Sequence, residues 1–117
     1  MRRAIEFAEG WIPVQITMAR TRTPPVATLA DMRVRVDMAK EMAEQMGRVE
    51  PLILCTSSGD LDFRYGPGFD HGPYLQRLAT LRDMGFSHVT THLPAESLAE
   101  YAENAALFKE QVIDQFS

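Results

Sequence analysis

Pro51-Leu52-Ile53-Leu54-Cys55-Thr56 is the stretch on which the fold turns. Successive strand residues point to opposite faces, so an unbroken apolar run presents apolar groups on both. A strand covered by structure on both sides reads this way, and a solvent-facing antiparallel strand does not. On either side of it lie helical patterns. Leu29, Met32, Val36, Ala39, Ala43 and Met46 recur at spacings of three and four and draw one apolar stripe over Thr28 to Met46. Thr28 is an N-cap, Asp31 closes a short-armed capping box, and Gly47 supplies a C-terminal stop. Downstream, Pro73 occupies a first-turn position, and Leu75, Leu78, Leu81 and Met84 support a helix ended by Gly85. Strands separated by amphipathic helices imply parallel pairing with right-handed crossovers.

The same strand-then-helix unit occurs twice more. Trp11 to Ile16 reads as a strand, entered from an uncapped opening helix, Met1 to Ala8, through a stop at Glu9-Gly10. A polar loop ending in Pro24-Pro25 follows it. His88 to Leu93 reads as the last strand, closed by Pro94. Ser97 with Glu100 then makes a capping box, and Leu98, Tyr101, Ala105, Phe108, Val112 and Phe116 form a stripe to the end of the chain. The fold class expected is α/β, parallel strands with crossover helices. Because the first helix has no start of its own, residues 1–117 read as a single domain forming the closing part of a larger α/β fold.

Composition narrows the function. The net charge of -4 argues against nucleic acid as partner, and Arg20 and Arg22 have no interleaved aromatic residues. No run of about 18 apolar residues predicts a membrane span. Glu6 and Glu9 interrupt anything resembling a signal peptide after Arg2 and Arg3. The single Cys55 sits in an apolar run and excludes an internal disulfide, so a cytoplasmic protein with a buried thiol is expected. Asp60, Asp62 and Asp70 fail the calcium-loop template, because Arg64 stands at a ligand position and no Glu closes the loop; no metal is expected. Phosphate-binding glycine motifs, serine-hydrolase elbows and zinc spacings are missing. The acidic cluster that a receiver-like domain carries at its first strand is missing too.

Several segments together resemble the bacterial luciferase-like oxidoreductases. Arg3-Ala4-Ile5-Glu6-Phe7-Ala8-Glu9-Gly10-Trp11-Ile12-Pro13 is similar to the segment in which an alanine-rich helix ends in Gly-Asp-Gly-Trp and enters a strand, with Glu9 where the family usually has Asp. Ala39 to Arg48 resembles the helix ending before the next strand. Leu81-Arg82-Asp83-Met84-Gly85-Phe86-Ser87-His88-Val89 resembles the entry to the last barrel strand, and Leu93-Pro94 the strand's end. The resemblance implies a (β/α)8 TIM barrel, of which this chain supplies the last three βα units. It further implies FMN or the deazaflavin F420 as cofactor, a small-molecule substrate, and monooxygenase, dehydrogenase or reductase chemistry. The family's phosphate-binding loop lies mostly upstream of the region matching Met1.

In parallel barrels the active site lies at the C-terminal strand ends. Three segments qualify here: Gln15 to Pro25, Thr56 to Gly72 and His92 to Glu96. Alternation places Val89 and Leu93 against helices and His88, Thr90 and His92 on the other face, which makes His92 the candidate catalytic residue, able to hydrogen-bond a cofactor or move a proton. Arg64 and His71 are candidates for binding a phosphate or carboxylate. Trp11 completes the cofactor- or substrate-binding candidates, although a large aromatic residue opening a strand ordinarily packs in a core. The alternative to an enzyme is a non-catalytic partial-barrel module that self-associates, since a three-stranded parallel sheet leaves edges and a face uncovered. Either way, association is expected, with further copies of the chain or with the rest of the barrel.

Overall fold

The computed structural model describes residues 1–13, 26, 28–57 and 71–116. It is a mixed α/β structure with a three-stranded parallel sheet. In chain order the elements are α1 (Arg2–Phe7), β1 (Gly10–Trp11), α2 (Leu29–Gln45), β2 (Ile53–Ser57), α3 (Gly72–Met84), β3 (His88–Thr90) and α4 (Leu98–Phe108). A π-helical turn, Lys109–Ile113, and a last helical turn, α5 (Asp114–Phe116), follow. The chain divides into two compact units, Met1–Ser57 with Leu81–Thr90, and Ser58–Thr80 with Thr91–Ser117.

The first unit holds the sheet, in the order β1-β2-β3. Gly10 and Trp11 pair with Ile53 and Leu54, while Cys55, Thr56 and Ser57 pair with His88, Val89 and Thr90, all parallel. Leu54 meets Met32 and Val36 of α2, Leu81 and Met84 of α3, and Phe86 in one buried cluster. Leu29, Met32 and Val36 of the stripe read from α2 therefore land in this core, whereas Met46 at its far end is exposed; the helix N-terminus is held as expected. Thr28 Oγ1 accepts from Asp31 N, and Asp31 Oδ2 accepts from Thr28 N, each at 3.1 Å.

Several readings need correction. Gly10 is not a helix stop: it is the first residue of β1, and its backbone approaches β2 so closely that a Cβ would lie 2.7 Å from the Ile53 carbonyl oxygen. The strand expected over Trp11 to Ile16 thus starts earlier, and its Val14 to Ile16 lie outside the described residues. Strand β2 is not covered on both faces by the described residues. Leu54 and Thr56 are buried, whereas Ile53 is 47% exposed, Cys55 half-buried and Ser57 exposed. The physical reason is that the α2 and α3 side chains of the cluster gather on the Leu54 face alone.

Two basic side chains close helix ends in this unit. Lys40 Nζ donates to the Met84 carbonyl at 2.8 Å, just before Gly85, whose φ of 106° suits a glycine. Arg48 Nη1 donates to the carbonyls of Ile5 and Ala8 at 2.9 and 2.8 Å, Nη2 to Glu9 at 3.2 Å and Nε to Glu50 at 2.9 Å. One planar donor fork thereby caps α1 and ties the corner before β1 to the segment that enters β2.

In the second unit, Tyr74 and Val112 are buried together, with Leu75, Leu78, Leu93 and Phe108 against them. The Tyr74 and Phe108 rings meet edge-on at 6.0 Å. Here the stripe expected on the last helix is overturned in its first half: Leu98 is 85% exposed and Tyr101 49%. Asn104 is buried instead, donating from Nδ2 to the Pro94 carbonyl at 2.8 Å. The line that packs runs through Asn104, Phe108 and Val112, and the wide turn, with Asp114 N donating to the Lys109 carbonyl, carries it onward. Ser97 caps α4 by accepting from Glu100 N at 3.1 Å, but Glu100 Oε2 accepts from Glu96 N, not from Ser97 N as a regular box requires.

Candidate functional site

Parallel pairing brings the C-terminal ends of β2 and β3 side by side, with Ser57 opposite Thr90. Pleating then decides which side chains share the open face of the sheet. They are those of Ile53, Cys55 and Ser57, with His88 and Thr90 beside the last two. This face offers hydroxyls, a thiol and an imidazole within one small area and carries no concentrated charge. His88 Nδ1 lies 2.8 Å from Ser87 Oγ, while Ser87 N and Oγ both donate to the Leu54 carbonyl, at 3.0 and 3.4 Å. On the covered face, the buried Thr56 hydroxyl donates to the Pro13 carbonyl at 2.7 Å. That bond holds the chain leaving β1 against the end of β2, beyond the last residues the two strands pair.

The second unit positions the other candidates. Tyr74 Oη and Thr91 Oγ1 are 2.8 Å apart, and Asn104 grips Pro94. His92 lies between these two anchored points and is exposed, so the loop is fixed on both sides while its imidazole stays accessible. His71 is half-buried at the head of α3, where its carbonyl accepts from Leu75 N at 3.0 Å.

The four residues singled out from sequence thus have different settings. Trp11 packs against the Met32–Val36–Leu54 cluster and serves the core of the sheet unit. His92 and His71 belong to the second unit. Arg64 lies outside the described residues. His88 and Thr90 are exposed, as strand alternation required, but β3 ends at Thr90, not Leu93, so His92 and Leu93 lie beyond the strand and Leu93 does not share the cluster of Val89. Among the described residues no group of three or more His, Cys, Asp or Glu side chains is placed to hold a metal ion. No described helix is long and apolar enough to cross a membrane.

Sequence reasoning missed Lys40, Arg48, Tyr74 and Asn104 as organising residues. Lys40 and Arg48 also line a cleft of about 410 Å³ with Ala43, Glu44, Pro51 and Leu52, at the N-terminal end of β2. Both cations are already committed to backbone carbonyls there, which makes the cleft a structural seam. An arginine directly after a helix-ending glycine was the available signal for this clamp. For Asn104, the signal was a lone amide on the side of α4 that also carries Phe108.

No protein-family model, no curated protein and no solved structure matches this chain.

Proposed function

We propose that this chain is the closing portion of a luciferase-like (β/α)8 barrel, contributing three βα units to an oxidoreductase that uses FMN or F420. The observation that carries this reading is the sheet: three strands consecutive in sequence, adjacent and parallel in space, with helices gathered on one face and the other face open. A barrel stave has that arrangement, its open face becoming the interior. The ordered sequence segments from Arg3 to Pro13, Ala39 to Arg48 and Leu81 to Val89 support it independently of the geometry.

Within this reading His92 is the residue that meets the cofactor or substrate, held in place by the flanking Thr91 and Pro94 anchors. The cofactor phosphate does not fit the described residues. In the loops that follow β2 and β3, the basic side chains among those residues are His71 and His92 alone. The resemblance puts the family's phosphate-binding loop mostly upstream of the region matching Met1, and within this reading cofactor binding belongs to the assembled barrel. Fluorescence titration of FMN and of F420 against the chain joined to the rest of its barrel tests this directly. Saturable binding of one of them, weakened by His92→Ala with unchanged circular dichroism, is expected; binding of neither overturns the reading.

The 47% exposure of Ile53 on an uncovered face favours a second reading, a non-catalytic module that buries this face by self-association. Light scattering after size exclusion distinguishes it. A folded monomer at all concentrations contradicts the module, and association abolished by Ile53→Glu supports it.

A further inference from the structure

Helix α1 carries basic residues towards one end and acidic residues towards the other. Arg2 and Arg3 stand at the N-terminal end, Glu6 and Glu9 at and just beyond the C-terminal end, with no acidic residue in the first turn and no basic residue in the last. All four residues are exposed. None has an ion-pair partner among the described residues, although Arg2 and Arg3 have the spacing to reach Glu6. Ile5 is the buried residue of this helix, and Arg3 and Phe7 project from the side opposite to it. Phe7 is 81% exposed, and Val49, next to the Arg48 that grips this helix end, is exposed too.

We propose that this face docks a second copy of the chain, the two α1 helices lying antiparallel about a twofold axis. The charge pattern is self-complementary in that arrangement and in no parallel one. Arg2 and Arg3 of each copy meet Glu6 and Glu9 of the other, and symmetry makes every such pair twice. The arginine stems of one copy cover Phe7 of the other. A six-residue helix with two flanking apolar side chains makes a small interface, so the dimer is weak and concentration-dependent. This surface is distinct from the open sheet face, and it would lie outside a barrel.

Sedimentation velocity on the chain at rising concentration, in low and high salt, reads the outcome. The dimer fraction is expected to rise with concentration and fall with salt. Arg2→Glu with Arg3→Glu weakens association by about tenfold, as does Glu6→Arg with Glu9→Arg. Mixing the two variants restores it as a heterodimer, and the chain carrying all four reversals pairs as the parent does. Each two-residue reversal sets like charges three and four residues apart on α1, so circular dichroism and melting are read beside pairing for every variant, and the fourfold reversal, which keeps opposite charges at that spacing, is the control for folding. A monomer at every concentration, a dimer indifferent to the reversals, or failure of the mixture to pair overturns the proposal. So does association lost in Ile53→Glu and retained in the α1 variants, which belongs to the sheet face.

Discussion

Helices α2 and α4 begin alike and pack differently. Each starts at a hydroxyl N-cap that accepts from the backbone of an acidic residue three positions on. In α2 the apolar stripe meets β2 and α3 along its middle, so Met32, Val36 and Ala39 are all buried. In α4 the partner surface, built on Tyr74 and Val112, reaches Phe108, and the buried side of the helix begins at Asn104, leaving Leu98 and Tyr101 outside. Periodicity tells which side of a helix is apolar; it does not tell how far along that side a neighbour extends.

Substitutions can break this contrast. Met32→Ala, deep in the α2 seam, is expected to cost about 2–5 kcal/mol in urea unfolding; a loss below 1 kcal/mol, roughly that of a surface site, would remove the basis for calling the α2 stripe a core. Arg48→Ala, just past α2, leaves carbonyls at the α1 end without their charged donor and should cost about 2 kcal/mol. Arg48→Lys recovers little of this, because a point charge cannot span several carbonyls. The two caps supply the control: Thr28→Ala and Ser97→Ala should each lose about 1 kcal/mol, since capping acts locally and is blind to the stripe beyond it. Leu98→Lys sits at the small end, within about 0.5 kcal/mol of the parent, and a large loss there would show that the first turn of α4 is packed after all.

Where local chemistry decides, the sequence was legible. Thr28 and Asp31 cap as their spacing required, Gly85 ends α3, and the alternation of β3 sends Val89 inward and His88 outward. Legibility failed where a distant partner decides. The apolar run of β2 suggested cover on both faces, but cover depends on where helices gather, and Ile53 stays open. Gly10 read as a stop because glycine ends helices; it is needed instead for contact with a strand more than forty residues away. The site divides along the same line. Strand pairing and pleat periodicity predict the open-face residues, whereas the anchors around His92 come from Tyr74 and Asn104, which only tertiary packing brings to Thr91 and Pro94.

The grip of Arg48 has a consequence for how the beginning of the chain comes undone. A single short helix ahead of a two-residue strand would ordinarily fray and exchange its amide hydrogens within moments. Bound through one guanidinium to the stretch leading into β2, α1 instead opens only when that link lets go. Its amides should therefore exchange in step with the hydrogen bond from Ile53 N to Glu9, and a protease should find the leading residues no easier to cut than the strand they precede.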